Sequence, residues 1–252
     1  MHHHRSYHKM WSKSKIRAWS EVKRILGRYP KIYYALGSFR GDVFQKRRVS
    51  EDADIVIEGY PRSASSFAVG AFRYAQSASI NVAHHLHVPA QIVRGCELGI
   101  PTILLVRHPV DAVVSHRALR REGEMVDGRR RETLSLGFES YFWDWICFYK
   151  TTLGYIDYLV VSLFGDVIQD FGSIVEAVNS KYGSSFGRFE HTEENVAHVN
   201  KNRGYHAGPS ERREKIKEEV RANLERYRQD SGDVIDGAIE LYEIYKQESS
   251  VI

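Results

Sequence analysis

The sequence predicts an α/β fold with three layers, α/β/α, and a mostly parallel central sheet. Three short apolar runs have the length and β-branched content of buried strands, at residues 55–57, 102–106 and 158–164. Segments with helical spacing of apolar residues lie between these runs. Strands that are apolar throughout, rather than on alternate positions, are typical of a parallel sheet covered on both faces.

Composition is consistent with one α/β domain that has a large core. The chain has 252 residues, of which 42% are hydrophobic and 12% aromatic. Its two cysteines, Cys96 and Cys147, lack the CxxC spacing of zinc sites, so a reducing compartment fits best. The sequence contains no apolar run of 18 residues and no secretory signal, and we therefore expect a cytoplasmic protein.

Charge divides the chain into two regions. Residues 1–50 hold thirteen lysines and arginines against Glu21 and Asp42, a net charge of +11, whereas the rest carries −7. We predict a basic N-terminal helical extension and linker over residues 1–50, followed by the α/β domain over residues 51–252. The extension could contact an anionic surface, or it could be a solvated helix that packs onto the domain through its aromatic residues. Nucleic acid is not an expected partner.

Helical periodicity predicts the remaining elements. The predicted helices cover about residues 12–27, 67–75, 89–99, 109–116, 138–156, 174–181, 210–228 and 233–247. Polar, glycine-containing stretches at residues 37–53, 121–137 and 184–209 predict loops.

The segment after the first predicted strand has the features of an anion site. Gly59 and Pro61 end the strand, and serines 63, 65 and 66 can cap the helix that follows. The start of a helix directs unpaired N–H groups and the positive end of its dipole to one point, where phosphate commonly binds. Arg62 adds a fork of donors. A serine-rich turn that only caps a helix is the plainer alternative.

This loop differs from a Walker phosphate loop. A Walker loop has a second glycine followed by lysine and then serine or threonine, whereas this chain has Ala64 and Ser65 at the first two of those positions. The loop is therefore poorly suited to bind and react a nucleotide triphosphate with magnesium.

A second motif follows the next strand. Arg107 leaves the strand at its carboxyl end, and Ser115 lies eight residues later, on the second turn of the helix predicted from Pro109. Ligands of open α/β sheets bind at this edge. Taken alone, Arg107 could be a surface ion-pairing residue, and Ser115 could bond back to a helix carbonyl.

Together the two motifs resemble those of sulfotransferases that use 3′-phosphoadenosine 5′-phosphosulfate (PAPS). Their phosphate loop reads Pro-(Lys/Arg)-Ser-Gly-(Ser/Thr)-(Ser/Thr)-aromatic, and residues 61–67 match it except at Ala64. The resemblance covers about residues 54–220 and implies a P-loop NTPase-like sulfotransferase architecture. It also implies PAPS as co-substrate with no metal, and Arg62 steadying the leaving phosphate. The implied donor-binding residues are Arg62, Ser63, Ala64, Ser65, Ser66, Phe67, Arg107 and Ser115.

The resemblance also implies a general base. Cytosolic members have a histidine twenty-two residues before the arginine that binds the 3′-phosphate, a position that His85 occupies here. His84 and His87 are close rivals. Imidazole suits the role of a base because its unperturbed pKa is near neutrality. We expect the adjacent His84 and His85 to point apart, which disfavours a metal site. Many members add phosphate contacts near the C terminus, for which the candidates are Lys201, Arg203, Arg212 and Arg213.

The function that this resemblance implies is sulfuryl transfer from PAPS to a hydroxyl or amine. The acceptor could be a small molecule, a glycan or a lipid, and the aromatic helix with Arg129, Arg130 and Arg131 suggests a wall for an anionic acceptor. Two alternatives remain open. One is a nucleoside- or nucleotide-kinase-like phosphotransferase on a degenerate phosphate loop, and the other is a non-catalytic nucleotide-binding protein.

Overall fold

A four-stranded sheet forms the centre of the protein. The computed structural model describes residues 13–37, 39, 41–128, 134, 136–201 and 210–249, so the predictions for residues 129–131 and Arg203 lie outside the described residues. All strands are parallel and their order is β2-β1-β3-β4. Their bounds are β1 Ile55–Gly59, β2 Val82–His84, β3 Thr102–Val106 and β4 Val160–Leu163. The predicted α/β class with a parallel sheet is confirmed.

Helices account for most of the remaining described chain. They are α1 Lys13–Leu26, α2 Pro30–Gly37, α3 Asp42–Gln45, α4 Ser65–Ala75, α5 Pro89–Glu97, α6 Pro109–Asp127, α7 Phe138–Thr152, α8 Phe164–Gln169, α9 Phe171–Tyr182, α10 Glu193–Lys201, α11 Glu211–Ser231 and α12 Asp233–Gln247. A 3₁₀ helix, Leu153–Tyr158, follows α7. Within the described residues, no helix has the length and apolar character needed to cross a membrane.

Both faces of the sheet are covered, because successive strand residues face opposite sides. Ile55 and Ile57 of β1 belong to an apolar cluster with α4, α8, α9 and α10. Val56, between them, belongs to the other cluster, which includes residues of α5, α6, α7, α11 and α12. This arrangement places helices in two layers around the sheet, and it explains why the strands are apolar throughout.

The structure corrects three of the predicted loops. Helix α6 continues to Asp127, into the segment predicted as a loop from residue 121, and ends where Gly128 adopts φ +65°. Helix α10 lies in the predicted loop at 184–209, where only two valines mark its apolar face. The short helix α3 lies in the predicted linker at 37–53.

Part of the basic N-terminal region packs against the helical layer. Arg24 of α1 donates from Nε to Asp144 Oδ1 of α7 at 2.8 Å and also contacts Ser140. After α1, the Gly27 carbonyl accepts from the Ala90 N–H of α5 at 2.8 Å. These contacts bring side chains of α1 to the edge of the sheet where the predicted motifs lie.

Candidate functional site

A cleft of about 1300 Å³ lies at the carboxyl ends of β1 and β3. Its walls come from the β1–α4 loop, the segment after β2, and the starts of α6 and α11, with α1 on one side. Every sequence-predicted donor-binding residue except the buried Ser63 lines this cleft, and His85 lines it too.

The β1–α4 loop has an unusual backbone. Arg62 and Ala64 both have positive φ, +75° and +68°, and Ala64 is the residue before α4. No side chain caps α4 at Ala64, and the first amides of a helix have no intrahelical acceptor. The left-handed conformation explains why glycine suits position 64 in the loops that this one resembles, because a Cβ costs about 1–2 kcal/mol there.

The three serines of the loop differ in their surroundings. Ser63 is buried beneath the loop, with its Oγ 3.4 Å from the Tyr149 hydroxyl. Ser65 Oγ is also buried, and no hydrogen-bond partner for it exists among the described residues. Ser66 is exposed, and its Oγ lies 3.0 Å from His85 Nε2. Phe67 packs edge-on against Phe189 in the core and also lines the cleft.

The two predicted anion motifs meet in the cleft. Arg62 donates from Nε to Ser115 Oγ at 3.1 Å, and Arg107 donates to the Arg62 carbonyl at 2.9 Å. The Arg107 guanidinium lies 4.0 Å from the centre of the Phe164 ring, a cation–π contact. Residues forty-five positions apart in sequence thus form one connected cluster.

This cluster concentrates positive charge. Burial, followed by the neighbouring cations Arg213 and Arg107, lowers the pKa of the Arg62 guanidinium to about 10. Burial also lowers the pKa of Arg107, which forms no ion pair with any carboxylate of the described residues. Both side chains are still cations at neutral pH, so the cluster favours a ligand that brings negative charge.

Arg213 is the C-terminal candidate that reaches the cluster. It is 1% exposed, lines the cleft and pairs with the Glu122 carboxylate at 2.6 Å. Ser210 caps α11 and donates to the same carboxylate. Arg212 and Lys201 are exposed and do not line the cleft. Lys217, which sequence reasoning missed, does line the cleft.

The histidine segment begins as strand β2, which the sequence did not reveal. After His84 the chain turns sharply, because His85 and His87 adopt φ of +57° and +51°. The expectation that His84 and His85 point apart is wrong, since their Nδ1 atoms lie 2.5 Å from each other. His84 lies outside the cleft, beside Arg73, and burial, followed by His85 and Arg73, lowers its pKa to about 3.

Glu58 is the main site residue that sequence reasoning missed. It ends an apolar run and looks like a strand boundary, yet it lies within β1 and is fully buried. Its carboxylate accepts the N–H groups of Gly59, Leu86 and His87, and it pairs with His87 Nδ1 at 3.1 Å. Burial alone raises the pKa of Glu58, but His87 and these donors together hold it below its usual value.

A second imidazole lines the far side of the cleft. His116 follows Ser115 on α6 and lies edge-on to Tyr60 and Tyr141, with ring centres 5.8 and 5.3 Å away. Its Nε2 accepts from Arg120 Nε at 2.9 Å. Burial, followed by Arg120 and His87, keeps the pKa of His116 well below its usual value, so the ring is neutral at pH 7. In the sequence, only its position next to Ser115, a predicted donor-binding residue, indicated that His116 could lie at the site.

Comparison with known proteins gives no match to a family model, to a curated protein or to a solved structure.

Proposed function

We propose that the protein is a PAPS-dependent sulfotransferase. The observation that carries this proposal is the joining of two anion motifs in one cleft, through the Arg62–Ser115 and Arg107–Arg62 hydrogen bonds. A nucleotide with phosphates at both its 5′ and 3′ ends needs two such sites at a fixed separation. The lack of a Walker lysine and the surplus of cations fit a donor that binds without a divalent ion.

The residues of the cleft fit such a donor. The unpartnered Ser65 hydroxyl, the exposed Ser66 hydroxyl and the first amides of α4 are donors for a 5′-phosphate. Arg107 and Ser115 are donors for a 3′-phosphate. The Ala64 methyl group lines the cleft at the position where the resembling loops have no side chain.

Sulfuryl transfer forms a bond between sulfur and the acceptor oxygen or nitrogen and breaks the bond between sulfur and the 5′-phosphate. The phosphate oxygen keeps the electron pair, and the acceptor loses a proton. In the proposed reaction Arg62 stabilises the charge on the leaving phosphate. An imidazole of residues 84–87, which is His85 by the resemblance, takes the proton. The acceptor would enter past Tyr60 and Tyr141, as a small molecule or as the end of a glycan or lipid.

Thermal unfolding with two nucleotides tests the proposal against a phosphotransferase. We expect 3′,5′-ADP, the desulfated product, to raise the melting temperature in EDTA, and ATP with Mg²⁺ to raise it less. Incubation with ³⁵S-labelled PAPS and a panel of phenols, sugars and lipids should then give a labelled product. Stabilisation by ATP with Mg²⁺ alone would favour a kinase-like function. Binding of 3′,5′-ADP without transfer to any acceptor would favour a non-catalytic protein.

A further inference from the structure

The environments of His85 and His87 suggest different roles for the two imidazoles at the cleft. His85 Nε2 contacts Ser66 Oγ in the phosphate loop, and its Nδ1 contacts His84 Nδ1. Both ring nitrogens of His85 therefore have protein partners. Among the described residues, the hydrogen-bonding partners of the His87 ring all lie at Nδ1, and they are the buried Glu58 and the Gly59 carbonyl.

The contacts of His87 fix its tautomer. Nδ1 lies 2.8 Å from the Gly59 carbonyl oxygen and 3.1 Å from Glu58 Oε1. Both of these atoms are acceptors, so Nδ1 must carry a proton. In the neutral ring Nε2 is then unprotonated, which is the form that a general base requires.

The second ring nitrogen of His87, Nε2, has no hydrogen-bond partner among the described residues, and we infer from the exposure of the ring that it faces the cleft. The His87 side chain is 25% exposed, whereas Glu58 is 0% exposed and Gly59 is buried. Because Nδ1 faces these two buried partners, the exposed edge of the ring is the opposite one, which carries Nε2. His87 is also among the residues that line the cleft.

Glu58 stabilises the backbone of the turn at residues 85–87 as well as the His87 ring. One carboxylate oxygen accepts the N–H groups of Leu86, at 2.8 Å, and His87, at 3.1 Å, while the other faces the imidazole. These bonds stabilise the positive φ of His87, which is unfavourable for a histidine.

We propose that His87 is the imidazole that accepts the proton of the acceptor, and that Glu58 is its positioning residue. This inference rests on the proposed function and refines its general base. His87 Nε2 takes the proton from the acceptor oxygen as that oxygen bonds to sulfur, and later passes the proton to water. His85 instead supports the β1–α4 loop, where its Nε2 contacts Ser66 beside the proposed 5′-phosphate position.

The charges around His87 determine the pH dependence. Glu58 of β1 raises the pKa of the imidazole, against the opposing effects of burial, which is the largest, and of Lys23 on α1. The His85 ring centre lies 5.6 Å away, and His116 of α6 is the remaining titratable neighbour. The net effect raises the His87 pKa above its usual value, so activity should rise with pH through a limb that lies above the usual histidine range.

Kinetics of four variants test the inference, with ³⁵S-PAPS and the best acceptor from the panel. We expect His87→Ala to lower kcat about 100-fold or more while the affinity for 3′,5′-ADP changes less than about 2-fold. His85→Ala should mainly raise the KM for PAPS. Glu58→Gln should lower kcat and move the pH limb to lower values, because the carboxylate charge is gone. His198→Ala, at an exposed position outside the cleft, is the matched control.

The opposite outcomes would overturn the inference. If His85→Ala abolishes kcat and His87→Ala does not, His85 is the base. A Glu58→Gln enzyme with a reduced rate but an unmoved pH limb would indicate a merely structural carboxylate. If Glu58→Gln does not fold, Glu58→Asp, which keeps the charge, should keep the wild-type pH limb, and a shifted limb would contradict the inference.

Nitrogen NMR separates this inference from the proposed function. In ¹⁵N-labelled wild-type protein, the His87 ring, identified by its loss in His87→Ala, should be protonated at Nδ1 and unprotonated at Nε2 when neutral. A protonated Nε2 in the neutral ring would refute the inference whether or not sulfate transfer occurs. Conversely, the expected tautomer in a protein that never transfers sulfate would leave the Glu58–His87 pair supported and the sulfotransferase proposal refuted.

Discussion

Arg107 and Arg213 are two arginines of one cleft with different electrostatic surroundings. Arg213 is 1% exposed and ion-paired with the nearly buried Glu122, at 2.6 Å. Arg107 instead donates to a backbone carbonyl and lies over an aromatic ring, without an ion pair to a described carboxylate. A charge balanced inside the protein contributes to folding, whereas a charge balanced only by a ligand contributes to binding. We therefore distinguish a supporting part of the cationic cluster, Arg213, from a proposed binding part, Arg107.

Replacement of Arg213 tests the supporting part and should have the largest effect. Arg213→Ala leaves the Glu122 carboxylate buried without its cation, and we expect the free energy of unfolding to fall by about 3–5 kcal/mol. Urea unfolding followed by circular dichroism measures this loss. Arg212→Ala, at the exposed neighbouring position, should change stability by less than about 0.5 kcal/mol. Equal effects of the two changes would mean that the Arg213–Glu122 pair is not formed.

Replacement of Arg107 tests the binding part. We expect Arg107→Ala to weaken 3′,5′-ADP binding on the order of 100-fold, or about 2.7 kcal/mol, with little change in the urea midpoint. Isothermal titration calorimetry in EDTA gives the affinity. Arg94→Ala, which removes a partly exposed arginine paired with Glu97 outside the cleft, is the control and should bind normally. A stability loss as large as that of Arg213→Ala would remove the distinction between the two arginines.

The sequence predicted the residues of the proposed binding part better than the Arg213–Glu122 pair that supports them. Strand, turn and helix start are local patterns that made the loop after β1 visible, whereas the Arg107–Ser115 pair was found through the resemblance to sulfotransferases. The structure joins the two by hydrogen bonds. Glu122 and Arg213 are ninety-one positions apart, and nothing in the local sequence of either one indicates the pairing.

The histidine segment shows the same limit. Strand β2 has three residues, too few to produce a recognisable apolar pattern. Glu58 was visible as a polar residue after an apolar run, but its burial depends on β1 continuing through it to Gly59. A carboxylate inside a central strand needs donors from elsewhere in the fold, and that requirement is the signal that could have directed attention to residues 86–87.

A smaller effect is expected at the loop itself. Ala64→Gly removes the Cβ at a left-handed position and should raise the free energy of unfolding by about 1 kcal/mol. The same change at Ala75, the last residue of α4, should lower it by about 0.5–1 kcal/mol. Urea unfolding of both variants distinguishes the positions. Destabilisation at residue 64 would mean that its φ is negative.

A further effect concerns pH and the support of the histidine segment. The folded protein keeps His84 neutral down to a pKa of about 3, whereas the unfolded chain binds a proton near pH 6.5. Stability should therefore fall as pH drops below about 6.5, since the unfolded state then binds more protons. His84→Gln should make the urea midpoint less dependent on pH between 7 and 5. His198→Gln, at an exposed site, should keep the wild-type dependence.

Titration calorimetry of the wild-type protein with two nucleotides, in EDTA, tests the central claim that separate elements bind the two phosphate ends of an adenosine donor. We predict that 3′,5′-ADP binds about 100-fold more tightly than 5′-AMP, which lacks the 3′-phosphate, and that Arg107→Ala abolishes this difference. Equal affinities for the two nucleotides in the wild-type protein, or no heat with 3′,5′-ADP, would contradict the claim.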